Sequence, residues 1–126
     1  MKANELMIGD WVAFRKDFPD RVNGISAYAY SVHLEKDAWQ LVDQINPIPL
    51  TPEILEKNGW VKWQMYYRLR LDQAYLEYYA HEGRLEKVWI GKGEKYDVIF
   101  RANTIIYVHQ LQHALKLCEI GKEIVL

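Results

Sequence analysis

Residues 103–118 read Asn103-Thr104-Ile105-Ile106-Tyr107-Val108-His109-Gln110-Leu111-Gln112-His113-Ala114-Leu115-Lys116-Leu117-Cys118, and this stretch decides the fold. Val108, Leu111, Leu115 and Cys118 recur at spacings of three and four, which on a helix makes one apolar stripe. Asn103 or Thr104 is placed to cap the helix start, and Gly121 follows its end. A helix with one apolar face needs a layer to cover that face. The rest of the chain is rich in short strand patterns, so that layer is expected to be a sheet.

Working back from the helix, five strand patterns occupy Trp60 to Trp63, Tyr66 to Leu71, Tyr75 to Ala80, Leu85 to Ile90 and Tyr96 to Phe100. His81-Glu82-Gly83-Arg84 and Gly91-Lys92-Gly93-Glu94 read as glycine-bearing hairpin loops. Within the second strand, Tyr67, Leu69 and Leu71 point one way and Arg68 and Arg70 the other. One face is therefore wet and the other buried, under the final helix.

The clearest local signal precedes this meander. Thr51 is a helix N-cap, Pro52 suits the first helical position and Glu53 sits at the positive helix end. Ile54 and Leu55 face inward, and Asn58-Gly59 ends the helix. Upstream, Asn46 to Leu50 carries two prolines and reads as an extended connector rather than a central strand.

The first part of the chain predicts four short antiparallel strands: Trp11 to Phe14, Val22 to Ala27 with a bulge at Gly24, Tyr28 to Leu34, and Trp39 to Ile45. A polar turn joins the first two at residues 15–20, and Leu6 and Ile8 tuck inward ahead of them. The expected fold class is α+β: a curled antiparallel N-terminal sheet of SH3-like barrel character, a short connecting helix, then a second meander packed on the C-terminal helix. One compact domain over residues 1–126 is expected, with lobes at 1–46 and 47–126.

Charge and composition narrow the function classes. The 16 basic and 17 acidic side chains leave a net charge of -1, which supplies no broad field for nucleic acid or an anionic membrane. Residues 1–46 hold five basic and seven acidic side chains, and residues 47–104 hold nine and eight. No stretch approaches the roughly 18 apolar residues of a membrane span. Residues 1–10 are too polar for a signal peptide. A single cysteine, Cys118, permits no internal disulfide and fits a reducing compartment. A soluble cytoplasmic protein is expected.

Catalytic patterns are sparse. His109 and His113 lie four apart, as zinc ligands of a His-Glu-x-x-His helix do, but Gln110, Leu111 and Gln112 stand between them, with no general-base glutamate. A metal-dependent hydrolase at His109 and His113 would also need a third ligand within about 2.1 Å of the ion. Cys118 lies on the core stripe and reads as an inert thiol. The Gly91 to Lys95 loop lacks the spacing of a phosphate loop. The carboxylate pairs Glu35/Asp37 and Asp17/Asp20 fall in predicted turns as solvated charge. The chain is read as a non-enzyme with no metal site and no cofactor.

Aromatics are the compositional oddity, with five Trp, nine Tyr and three Phe. Aromatic and guanidinium groups carry interface energy best. The candidate binding residues are Trp11, Trp39, Trp63, Tyr66, Arg68, Arg70 and Trp89. The leading expectation is a non-enzymatic accessory protein that binds another protein or itself, since edge strands and surface aromatics invite association. The alternative is a nucleic-acid-binding module using aromatic and Arg side chains on a sheet face.

Three blocks carry a resemblance: Met1-Lys2-Ala3-Asn4-Glu5-Leu6 with Ile8-Gly9-Asp10-Trp11-Val12, then Ile48-Pro49-Leu50-Thr51-Pro52-Glu53 with Leu55 and Gly59-Trp60, then Tyr107-Val108-His109-Gln110-Leu111-Gln112. Together they resemble a family of small uncharacterised proteins of Bacteroides-type bacteria and their prophages and mobile elements. The resemblance implies a cytoplasmic accessory protein related to phage or mobile elements and supplies no activity. It singles out Tyr107, His109, Gln110 and Gln112 as a polar edge that fixes the helix or meets a partner. The chain departs from the family pattern at His113, where relatives carry Asn, and in a longer first turn at residues 15–21. The departure at His113 weakens any shared two-histidine metal site.

Overall fold

The structure is a computed structural model of the chain. It describes all residues except 16–17, 27, 73, 82–83, 94–96 and 103–104, and of residues 80, 81 and 84–87 it describes the backbone alone. The architecture is α+β, with two five-stranded antiparallel sheets and two α-helices. Contacts divide the chain into two compact units, Met1–Pro49 with Tyr107–His109, and Leu50–Ile106 with Gln110–Leu126.

In the first unit, strands β1 (Trp11–Phe14), β2 (Phe18–Ser26), β3 (Ser31–Leu34), β4 (Trp39–Leu41) and β5 (Ile45–Pro47) take the order β4-β3-β2-β1-β5. Alternation drives Val12, Phe14, Val22, Val32, Leu34 and Ile45 into one apolar core, joined by Ala3 and Leu6. The sheet is open, with β4 and β5 at its edges, so it does not close into the barrel that the strand spacing suggests. The expected fourth strand breaks into β4, a 3-10 turn at Val42–Gln44, and β5. That turn brings the chain round to pair beside β1, where Pro47 sits on an edge that needs no donor.

Four other sequence expectations for this unit change. Ile8 is exposed rather than tucked inward beside Leu6. Strand β2 begins at Phe18, and Pro19 pairs with Ala13 where no second neighbour needs its missing N–H. Asp20 is buried, not solvated, and its carboxylate accepts from the backbone N–H of Arg21 at 2.8 Å and of Lys36 at 3.1 Å. Strand β3 starts only at Ser31, after a turn that holds Tyr30 at a φ of 49°. The register does shift between Val22 and Gly24, the bulge that the glycine signalled.

In the second unit, helix α1 (Pro52–Lys57) is capped as its sequence dictates. The Thr51 hydroxyl accepts from the Ile54 N–H at 3.3 Å. Asn58 ends the helix and is buried there. Its amide donates to the carbonyls of Ile54 and Val125 at 2.8 Å each, and its side-chain oxygen accepts from the Val125 N–H at 2.8 Å. The residue therefore anchors the chain's last segment as well as stopping a helix. Gly59 follows with a φ of +93°, a conformation that costs L side chains strain.

Strands β6 (Val61–Trp63), β7 (Tyr66–Leu71), β8 (Ala74–His81), β9 (Arg84–Lys92) and β10 (Asp97–Ala102) form a meander in sequence order. Tyr67, Leu69, Ala74, Leu76, Tyr78, Val88 and Ile90 are buried on its inner face. The β9–β10 turn holds Gly93 at a φ of +91°. Glu94 and the tip of the His81 to Arg84 hairpin lie outside the described residues.

Helix α2 spans Val108–Leu117, five residues shorter at its start than the pattern predicts. The chain before it stays extended: Tyr107 bridges Pro49, and the Val108 N–H donates to the Ile48 carbonyl at 2.9 Å. Ile105 and Ile106 are β-branched and suit that conformation. The candidate caps Asn103 and Thr104 lie outside the described residues. Val108, Leu111, Leu115 and Cys118 are all buried, as the stripe requires. In the second unit the Lys92 ammonium of β9 donates to the Cys118 carbonyl at 3.0 Å, placing a cation at the negative helix end.

Candidate functional site

The outer face of the second sheet gathers the polar aromatic chemistry of the chain. Strand alternation in β7 buries Tyr67 and Leu69 and turns Tyr66, Arg68 and Arg70 outward. Register then builds rows across the sheet. One row joins Val61, Arg68, Glu77, Trp89 and Arg101, one residue from each strand. A second holds Trp63, Tyr66 and Tyr79, and a third Arg70, Tyr75, Gly91 and Val98.

Each arginine described on this face, Arg68, Arg70 and Arg101, lies over a ring. The Arg68 guanidinium carbon is 5.4 Å from the Trp63 ring centre and 5.7 Å from that of Tyr66. Arg70 lies 5.8 Å from Tyr75, and Arg101 4.8 Å from Trp89. These are cation–π distances, and they hold long side chains in place over an otherwise wet surface. The rings also meet one another, Tyr66 against Tyr79 edge-on at 4.4 Å and Tyr79 against Trp89 tilted at 5.0 Å.

Glu77 sits among them. The Tyr75 hydroxyl donates to its Oε1 at 2.6 Å, the Tyr79 hydroxyl to its Oε2 at 3.3 Å, and the Arg68 Nε stands 3.7 Å from Oε1. Its side chain is 15% exposed. Partial burial, with the adjacent carboxylate, raises the Tyr75 hydroxyl and pushes that of Tyr79 up to about 12. Both stay protonated donors at neutral pH. Beside Glu77 is a cleft of about 350 Å³, bordered by Arg70, Tyr75, Trp89, Gly91 and Val98.

Five of the seven residues singled out from sequence, Trp63, Tyr66, Arg68, Arg70 and Trp89, thus share one sheet face. The other two belong to the first unit. Trp11 is half-buried under the Arg21 guanidinium, 5.0 Å from its ring. Trp39 is exposed on β4, edge-on to His33 at 5.4 Å and lying over Gly24, where an added Cβ would meet the indole at 3.5 Å. Sequence reasoning missed Tyr75, Glu77, Tyr79 and Arg101. The alternation of Tyr75, Glu77 and Tyr79 with buried Leu76 and Tyr78 was a usable signal for three of them. Arg101 was hidden, because a bulge between Val98 and Phe100 flips the alternation of β10.

The polar edge singled out from sequence lies at the start of α2. His109 is buried and stacks on Tyr107 at 5.9 Å, while the Gln110 side-chain oxygen accepts from the Ile106 N–H at 2.9 Å. Gln112 and His113 are half-buried. Burial raises the Cys118 thiol, opposed in part by Lys92. Among the described residues no three His, Cys, Asp or Glu side chains converge to hold a metal ion, and no helix is long and apolar enough to cross a membrane.

No protein-family model, no curated protein and no solved structure matches this chain. The reading of its function therefore rests on the geometry of its own residues.

Proposed function

We propose that the outer face of the second sheet binds single-stranded nucleic acid. The observation that carries the reading is the set of three arginines, each laid over an aromatic ring, on a face with one carboxylate among its described side chains. Guanidinium groups pair with phosphate oxygens, and tyrosine and tryptophan rings or guanidinium planes stack unpaired bases. A near-neutral net charge does not oppose this, because the field that matters is that of the face. Duplex recognition would need an element that enters a groove, and a broad sheet face suits an unpaired strand better.

The test is fluorescence anisotropy of a labelled oligothymidylate titrated with the protein. Three phosphate contacts correspond to a salt slope of about -2, so affinity falls about 20-fold between about 50 and 200 mM salt. No anisotropy change at low salt overturns the proposal.

A second reading, recognition of a protein or of a second copy, is favoured by a different observation in the first unit. Tyr28, Tyr30, Trp39 and Leu41 are all more than half exposed around the β4 edge, and exposed aromatics beside an open strand edge suit association. Sedimentation velocity over a concentration series tests it. In either reading the protein acts as a non-enzymatic accessory factor in the cytoplasm, and its phage or mobile-element context rests on the three motif blocks.

A further inference from the structure

Resting on the second reading above, we infer that the partner at the β4 edge is a second copy of this chain, joined strand to strand about a two-fold axis at Gln40. The backbone of β4 decides which of its groups face outward. The Leu34 N–H donates to the Ala38 carbonyl at 3.2 Å, and the Val42 N–H to the Tyr30 carbonyl at 2.9 Å. Between these contacts the register sets Val32 opposite Gln40. Bonded and non-bonded pairs alternate along an antiparallel ladder, so Gln40 bonds inward to β3. Trp39 and Leu41 therefore turn their N–H and C=O groups away from β3. Among the described residues β4 is the outermost strand of its sheet, which leaves those groups as a template for another strand.

A second β4 answers that template by symmetry. Run antiparallel with Gln40 opposite its own copy, Trp39 faces Leu41 of the second copy and Leu41 faces its Trp39, and each pair exchanges both of its hydrogen bonds. One patch serves both partners, which closes the assembly at a dimer. The side chains agree with the backbone, because the same register sets an indole against an isobutyl group on one face. Trp39 already lies over Gly24 and edge-on to His33, so its ring needs little further ordering. The strand's three residues carry no charge. Asp37 and Asp43 lie just beyond its ends and would oppose each other in this register, which keeps the ladder short. Tyr28, Tyr30, Trp39 and Leu41 are 98%, 71%, 53% and 56% exposed. At about 150–250 Å² for a whole aromatic side chain, they offer about 500 Å² per chain and about 1,000 Å² in a pair. That is the floor for a specific interface and the range of weak dimers.

The experiment pairs sedimentation velocity of the whole chain with hydrogen exchange followed amide by amide in NMR spectra. Between about 5 and about 500 µM, the span that a weak interface of this size demands, the average mass is expected to climb toward two chains. Once about nine-tenths of the chain is paired, the Trp39 and Leu41 amides exchange about tenfold more slowly than in dilute solution. The Gln40 amide, already bonded to β3, is protected at every concentration. Leu41 holds a φ of -67°, which is a proline angle, and its N–H faces outward. Leu41→Pro is therefore expected to fold as the parent does and to weaken dimerisation by about tenfold or more. Should that variant not fold, exchange at Trp39 and Leu41 in the unaltered protein decides. Dimers whose Trp39 and Leu41 amides stay unprotected, or that persist undiminished in Leu41→Pro, overturn the strand pairing and leave the association reading standing. A single chain at every concentration overturns the inference and removes a second copy from that reading.

Discussion

The Arg101 guanidinium lies 4.8 Å from the centre of the Trp89 ring, across a register pair that joins β10 to β9. The same arrangement recurs at Arg68 over Trp63 and Arg70 over Tyr75. A guanidinium held over a ring has already given up part of its side-chain freedom. The three pairs thus form a surface arranged before any ligand reaches it.

If those guanidinium groups carry phosphate contacts, each one removed should lower the salt slope by about 0.7. Arg70→Ala and Arg101→Ala are therefore expected to weaken oligothymidylate binding several-fold at low salt, with the smaller slope as the diagnostic. Anisotropy titrations at three or more salt concentrations provide both quantities. Weaker binding with an unchanged slope would assign these residues to packing instead.

Tyr78 makes a prediction of the opposite sign. Its ring is fully buried on the inner face, and among the described residues nothing hydrogen-bonds its hydroxyl. Burial alone drives its ionisation upward. An unsatisfied buried hydroxyl is destabilising, so Tyr78→Phe should raise stability by about 1 kcal/mol in urea unfolding. A loss of comparable size would reveal a hidden partner such as a buried water.

Asn58 should behave in the reverse way. Three hydrogen bonds of 2.8 Å join it to Ile54 and Val125, and it is buried. Asn58→Ala leaves the Val125 N–H and carbonyl without these partners, at a cost of about 2–3 kcal/mol. Faster proteolysis of the C-terminal residues would accompany the lower urea midpoint. Unchanged stability would mean that the last segment is not held through this side chain.

The alkaline limb of stability should come from the tyrosines. Tyr75, Tyr78 and Tyr79 are all raised above the ordinary value of 10.0, Tyr79 to about 12. The unfolded chain then loses these protons first, so stability falls as pH climbs from 10 through 12 and is unaffected by them below that window. Thermal midpoints recorded across that range should fall less steeply for Tyr79→Phe than for the parent. Parallel curves would contradict the assignment.

Much of this was legible in the residues. The Thr51-Pro52-Glu53 cap, the alternation of β7 and the Val108 to Cys118 stripe are local patterns, and local patterns survive folding when each level agrees. What escaped was set by pairing partners far along the chain. The break between β4 and β5 follows from β5 crossing to the far edge beside β1, and the bulge in β10 that turns Arg101 outward is visible only against β9. Asp20 read as a solvated turn residue because its second partner, the Lys36 N–H, lies 16 residues on. Net charge averages the whole chain and does not register three arginines meeting on one face.

The most direct measurement is ultraviolet crosslinking of a halogenated single strand to the protein at low salt, followed by peptide mapping. Adducts are expected at Trp63, Tyr66, Tyr75, Tyr79 or Trp89, and they should be lost when unlabelled strand competes. Adducts confined to Tyr28, Tyr30 and Trp39, or none at all, would contradict a nucleic-acid surface on the second sheet.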